Sequence, residues 1–438
     1  MATKKTPSKI LTFIFLITLP LFMTGCEASN LPLIGRFFAP SEPEAITLNY
    51  WGLFEPEGVM EQVIADYQEQ HPTVTINYSQ RPQATLKDYK DTVVTRLGQK
   101  SGDLPDIMRI HATWVAPLAS LLAPSTSISE VEFNEQFYSV AAQTCVVSGQ
   151  VMAAPLEYDG LILFYNKDIF QAENISKPPA TWDEFQSLAV TLTKAEGQNI
   201  TQSGAAVGLA DSIPHASDIF GLMLSQTQAS IPEDLDSPAA AAALNFYVRF
   251  YKEGKIWNER LINSLQAFAD GKVAMIFAPS WRVFELLGIN PTLQFATAPV
   301  PQAPASSEGE LTNINWASFW VEAVPKTSPH PDAAWDFLRY LTTPEVQRKI
   351  YSEQTKIRPF GEPPSLKALR DEVSSEAVLH PLLQGAALAK THLIVDASGN
   401  DPYAEAINAA IEAVAKGGDA TTALETAKKT LVQLLGSR

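Results

Sequence analysis

From residue 46 onward apolar and polar positions change period in a regular way. Ile46, Leu48 and Tyr50 alternate with Thr47, Asn49 and Trp51, the two-residue repeat of a strand. Pro56 suits the first turn of a helix, and Val59, Met60, Val63, Ile64 and Tyr67 then recur at helical spacing until Pro72. Val74, Ile76 and Tyr78 predict a second strand, Tyr89, Val93 and Leu97 a second helix, and Asp106 to Ile110 a third strand. Strand, helix, strand, helix, strand in this rhythm predicts a parallel sheet with right-handed crossovers.

The middle of the chain predicts a different balance. Leu156 to Asn166 is an apolar strand, Pro178 and Pro179 break the chain, and Thr181 with Glu184 forms a capping box ahead of Phe185, Leu188 and Leu192. Helical periodicity dominates to about residue 265, and a short strand from Val273 to Phe277 runs into Ala278, Pro279, Ser280 and Trp281. Residues 299–310, rich in Pro, Ala, Ser and Glu, predict a connection. Thr343 and Pro344 read as the N-cap and first residue of a helix, and Tyr403 to Leu435 as Ala-rich helix broken at Gly417–Gly418.

The N-terminus changes the picture. Lys4, Lys5 and Lys9 precede the apolar run Ile10 to Met23, which is short against the about 20 apolar residues of a spanning helix. Leu21 to Cys26 resembles a bacterial lipobox, with Met23 where Leu is usual. Residues 1–25 are therefore expected to be a lipoprotein signal peptide, Cys26 the lipidated residue, and 26–44, with Pro32, Pro40 and Pro43, a tether. An uncleaved anchor helix is the competing reading. Two or more acyl chains would make anchoring stable. Cys145, the only other cysteine, is then left without a disulfide partner, and its neighbours Val146 and Val147 suggest a buried thiol.

Composition narrows the function. The chain is 46% hydrophobic and 18% charged, ample for globular cores. Its formal charge of −16 becomes −19 once residues 1–25, with three lysines and no acid, are removed. That excess repels nucleic acid and anionic lipid. There is no GxSxG, HExxH or P-loop, and the six histidines and two cysteines lack metal-ligand spacing.

The placement of aromatics carries the strongest chemical signal. Trp51 ends the first predicted strand, Trp114 follows the third, Tyr158 precedes the apolar strand, Trp281 follows the next, and Trp316 lies beyond the Pro-rich connection. Ligands of open α/β sheets bind beyond the carboxyl ends of strands. Aromatic faces stack on sugar C–H groups, and nearby Glu55, Glu157, Asp159, Arg282 and Asn315 offer acceptors and donors for hydroxyls. Any one of these aromatics could equally plug a core.

Six phrases in order resemble the extracellular solute-binding proteins of ABC importers, the large sugar-binding family typified by maltose-binding protein. They are Ile46 to Pro56 with Tyr67 to Pro72, Leu104 to Ile107, Pro155 to Asp168 with its Tyr-Asn-Lys-Asp, Thr181 to Phe185, Gly271 to Trp281, and Pro331 to Tyr340 with Thr343 to Glu345. The resemblance implies a two-lobed periplasmic-binding-protein fold of type II, α/β, with discontinuous lobes joined by hinge strands: 45–157 plus 303–345, and 158–302 plus 346–438. It implies ligand capture between lobes that close by a hinge, delivery to ABC permease subunits, a monomer, and no catalytic residue, metal or cofactor. The expected ligand is a mono- or oligosaccharide. By position it assigns ligand contacts to Glu55, His111, Trp114, Glu157, Tyr158, Asp159 and Trp281, and by loop position to Trp316 and Arg358, with Trp51 added from its strand end. Asn315-Trp316-Ala317 departs from the Gly-Gly of many relatives, which leaves ligand identity open. The rival readings are the same fold on a polyamine or sugar phosphate, a surface glycosidase, and a sensory lipoprotein.

Overall fold

In a computed structural model, residues 45–81, 86–99, 103–197, 199–253, 255–261, 263–305, 309–396 and 402–436 are described. The expected signal peptide, Cys26 and tether lie outside these residues. The strands of the two principal sheets are β1 (Ile46–Gly52), β2 (Val74–Gln80), β3 (Ile107–His111), β4 (Ala153–Pro155), β5 (Leu161–Asn166), β6 (Met275–Pro279), β7 (Phe295–Ala298) and β8 (Trp320–Ala323).

The first sheet has the order β2-β1-β3-β8-β4. β1 is parallel to β2, with Ile46 opposite Val74, and to β3, with Tyr50 opposite Ile107. β8 runs antiparallel to β3 and β4. The two crossovers are helices Glu57–Gln70 and Leu86–Gln99. The first buries Val59, Met60, Val63, Ile64 and Tyr67, the residues whose spacing predicts it. Its Pro56 sits at the N-cap, one position earlier than the sequence reading puts it.

The second sheet has the order β6-β5-β7, all antiparallel. β5 is central and almost wholly buried, which accounts for its unbroken apolar run. Asn166 ends it and caps the following helix, accepting from the Ile169 N–H at 3.0 Å. The predicted capping box is half present: Thr181 Oγ1 accepts from Glu184 N, while Glu184 Oε2 accepts from the N–H of Ala180 at 2.7 Å, one residue before the N-cap. Helices Ala216–Gln226, Pro238–Lys252, Pro402–Ala415 and Ala420–Gly436 pack together on this side, the last two separated by Gly417 at φ +99°. Thr343 occupies the N-cap of helix Pro344–Thr355, but its hydroxyl donates backwards to Tyr340 O instead of capping.

Three segments run side by side between the sheets. Gly160 pairs with Ala317, Glu157 pairs with Pro364, and Tyr158 N donates to Pro363 O. The close approach at Gly160 requires glycine, because a Cβ there would stand 2.1 Å from Trp316 O. The contacts on either side of these crossings differ from the lobe limits read from sequence. Residues 302–305 and 309–316 stay with the second sheet, through Gln302 N to Ala180 O and through Gln226 Nε2 to Pro301 O and Ile314 O. Helix Pro344–Thr355 lies on helix Glu57–Gln70, where Lys349 pairs with Asp66, and Lys367 Nζ donates to Asn134 O. The chain therefore changes sheets at 317–319, not at 303, and its last crossing comes well after 345.

Candidate functional site

A cavity of about 260 Å³ opens where the three crossings meet the ends of β6 and β8. Five aromatic rings wall it: Phe54 and Trp320 from the first sheet's side, Trp281 and Phe284 from the second's, and Phe360 from the last crossing. Phe54 meets Trp320 edge-on at 5.1 Å, and Phe284 lies 4.8 Å from Phe360. Trp281 is 45% exposed and Phe54 40%, a large apolar surface left open on a chain whose other tryptophans are mostly buried.

The corner that presents Trp281 is built by Asp159. β6 ends at Pro279, and the backbone then turns through Ser280 and Trp281 into helix Arg282–Ile289. Asp159 Oδ1 accepts from Gly160 N at 2.7 Å and Ser280 N at 3.0 Å; Oδ2 accepts from Ser280 Oγ at 2.9 Å and Trp281 N at 3.2 Å. Four donors fill the lone-pair sites a carboxylate has. Burial raises the Asp159 carboxyl to about 6, and the hydrogen bonds from Ser280, Gly160 and Trp281 oppose that rise.

Behind Trp281 a polar chain links the helices. The Arg282 guanidinium lies 4.0 Å from the Trp281 ring centre, and its Nε donates to His215 Nε2 at 3.1 Å. Arginine can only donate, so His215 carries its proton on Nδ1 and donates it to Asp218 Oδ2 at 3.0 Å. Asp218 Oδ1 also accepts from Trp316 Nε1 at 2.9 Å and from Asp396 N at 3.2 Å.

The opposite wall is a buried charge cluster. Arg109 on β3 touches Glu157 at 2.8 Å, Glu362 at 3.2 Å and Glu322 at 3.6 Å; Arg358 touches Glu55 at 3.6 Å and Glu362 at 3.7 Å. Desolvation pushes Glu55 up to about 8, Glu322 to about 7, and Glu157 well above the ordinary carboxylate range. Glu362 moves the other way, to about 2, because Arg109, hydrogen bonds from Glu157 and Glu55, and Arg358 outweigh its burial. The cluster thus shares protons among its acids, with Glu362 as the acceptor at its centre.

Of the residues singled out in the sequence, Glu157, Asp159, Trp281 and Arg358 line the cavity. Glu55 stands one layer back, held by Gln354 Nε2 at 2.7 Å and by Arg358. His111 and Trp114 are buried behind Trp320, with ring centres 5.3 Å and 5.4 Å from it. Burial and Lys90 lower His111 to about 3, so it is neutral. Trp51 is buried under Arg81 at 4.2 Å, Tyr158 packs on Tyr138 and Phe319, and Trp316 is buried on Asp218. The structure places these five away from the cavity surface. Sequence reasoning missed Phe54, His215, Phe284, Trp320, Phe360 and Glu362. Trp320 could have been found: it sits four residues past Trp316, at the start of a short strand.

A wall of aromatic faces beside carboxylates and a guanidinium can stack on a ring's C–H face and bond its hydroxyls. Comparison with known proteins shows the family and the fold. Residues 62–377 match the family model described as bacterial extracellular solute-binding protein. The galactooligosaccharide-binding protein of Bacillus subtilis is 22% identical over 349 residues, 76% of each chain. The maltooligosaccharide ABC transporter solute-binding lipoprotein of Streptococcus pneumoniae is 22% identical over 278 residues, 60% of this chain and 61% of the relative. Among solved structures, the sugar-binding protein MalE of Xanthomonas citri superposes with a TM-score of 0.69 at 20% identity, covering 90% of this chain and 98% of its own. That likeness shows the fold, a two-lobed α/β binding protein.

Proposed function

This chain belongs to the bacterial extracellular solute-binding protein family, and we propose that it binds a carbohydrate between its two lobes and hands it to the permease of an ABC importer. The observation that carries the proposal is the cavity's construction: aromatic rings from both sheets face one space beside Glu157, Glu362 and Arg358. A ligand stacked on Trp281 and Trp320 at once has its full contacts only when the lobes are together. That differential affinity shifts the population toward the closed form, which the permease reads. Relatives named for maltooligosaccharides and galactooligosaccharides support the ligand class. The protein releases its ligand unchanged, acts as a monomer, and is held outside the cytoplasm by lipid on Cys26.

The test is calorimetry with gluco-, malto- and galactooligosaccharides. One class should bind, and Trp281→Ala should weaken that binding by about 10- to 100-fold, the worth of one well-placed aromatic face at about 1–3 kcal/mol. Absence of binding to every saccharide, or release of a cleaved product, would sink the proposal. Acylation of Cys26 is checked by the mass of the N-terminal peptide, and Cys26→Ala should release the protein from membranes.

A further inference from the structure

The cavity's hinge-side wall holds more acid than base. Glu55, Glu157, Glu322 and Glu362 share two guanidiniums, and each guanidinium is already engaged by at least two carboxylates. Arg109 is only 2% exposed, so bulk water does little to screen the imbalance. Glu157 and Glu362 face the cavity itself and Asp396 adds a further acid to its lining, against Arg358 there and Arg282 on the Trp281 ring; Asp159 is already filled by the Trp281 turn. Tyr50 and Tyr78, which face the cluster from β1 and β2, are pushed above the usual phenol range and contribute no positive charge.

The aromatic wall points the same way. Cations already lie over three of its rings: Arg109 at 5.9 Å from Phe54, Arg358 at 5.4 Å from Phe284 and Arg282 at 4.0 Å from Trp281. Those three faces are taken, whereas the Trp320 ring carries no such cation among the described residues, and a ring face beside carboxylates attracts one by quadrupole and charge together. Trp320 is next to the surplus, since its backbone N–H donates to Glu157 Oε1 at 3.1 Å.

Resting on the carbohydrate reading, we infer that the bound saccharide carries an ammonium group, an amino sugar unit seated between Glu157, Glu362 and the Trp320 ring. In the unliganded protein the crowding of Glu157, Glu362 and Glu55 around two shared guanidiniums, together with burial, favours protonated carboxyls that offset the surplus. An arriving ammonium takes over that role. Glu157 then ionises and its proton leaves to the buffer, so charge balances with no bond made or broken in the sugar.

The experiment compares chito-oligosaccharides in the free-amine form with their N-acetylated and matched neutral gluco-forms, using the full chain, by calorimetry at pH 6.5 in two buffers of different ionisation heat. The amine form is expected to bind at least about 10-fold tighter, weakening with salt, and to release protons on binding where the neutral forms do not. Glu157→Gln and Glu362→Gln, each verified as folded by its melting curve, should collapse the amine-to-neutral ratio. A neutral saccharide binding as tightly as the amine, without proton release, overturns this inference and leaves the carbohydrate function standing. Binding of spermidine with no binding of any saccharide overturns both.

Discussion

Two walls of one cavity use carboxylates in opposite ways. At the Trp281 corner, Asp159 spends every acceptor site on the turn that presents the aromatic ring. Across the cavity, Glu55, Glu157 and Glu322 crowd around Arg109 and Glu362 with more carboxyl groups than the guanidiniums can pair as ions. The first arrangement fixes geometry, because a filled carboxylate gains nothing by moving. The second responds to its surroundings, because its balance changes whenever a proton or a cation arrives. An acid in a binding cleft is therefore not by its type a ligand contact; what matters is whether its lone pairs are already taken.

The sharpest way to break the comparison is to remove the cluster's centre. Arg109→Met keeps much of the apolar stem but leaves Glu157, Glu322 and Glu362 buried without their shared guanidinium. Breaking a buried ionic group on one side costs about 3–5 kcal/mol, and a denaturant titration at pH 7.5 should read a loss of that size. The loss should shrink at pH 5, where the stranded acids take up protons. A pH-independent loss would mean that Arg109 acts by packing alone.

The other wall predicts a smaller loss with a different signature. Asp159→Ala leaves the N–H groups of Ser280, Trp281 and Gly160 without their acceptor, a cost of about 1–3 kcal/mol. Saccharide affinity should fall along with stability, because the Trp281 ring loses its fixed direction, and Asp159→Asn should recover part of both. Saccharide affinity unchanged in a folded Asp159→Ala protein would show that the corner holds without its clamp.

What the sequence revealed follows the same division between local and distant causes. β1, β2, β3 and β5 and the Thr181 capping box were legible because periodicity and capping act within a few residues. Trp281 was legible because it directly follows a strand. Trp51, Trp114 and Trp316 carry the same strand-end or loop signature yet are buried, since their exposure depends on which neighbours Arg81, Trp320 and Asp218 cover them. Phe360 and Glu362 gave no local sign at all; they reach the cavity only because the last crossing pairs with residues 157 and 158. The Pro-rich stretch at 299–310 looked like a change of lobe, but the backbone bond from Gln302 to Ala180 and the Gln226 side-chain bonds to Pro301 O and Ile314 O keep its described residues with the second sheet.

The smallest expected effect bears most directly on the charged wall. Burial raises Glu55 from 4.5 to about 8 and Glu322 to about 7, so the folded chain holds protons that the unfolded chain gives up. Their contribution to stability is complete below about pH 4.5 and fades as pH rises through 7 and 8. Glu362, lowered to about 2, contributes the opposite slope only below its ordinary value of 4.5, outside that window. The melting temperature should therefore decline between pH 5.5 and 8.5. Glu55→Gln replaces the protonated carboxyl by a neutral group of the same shape that still accepts from Gln354. It should flatten the decline and leave the variant a few degrees more stable than the parent at pH 8.5, about 1 kcal/mol in a chain of this size. An unchanged slope would mean that Glu55 is ionised throughout, and the cluster's protons would then have to be held by Glu157 and Glu322 alone.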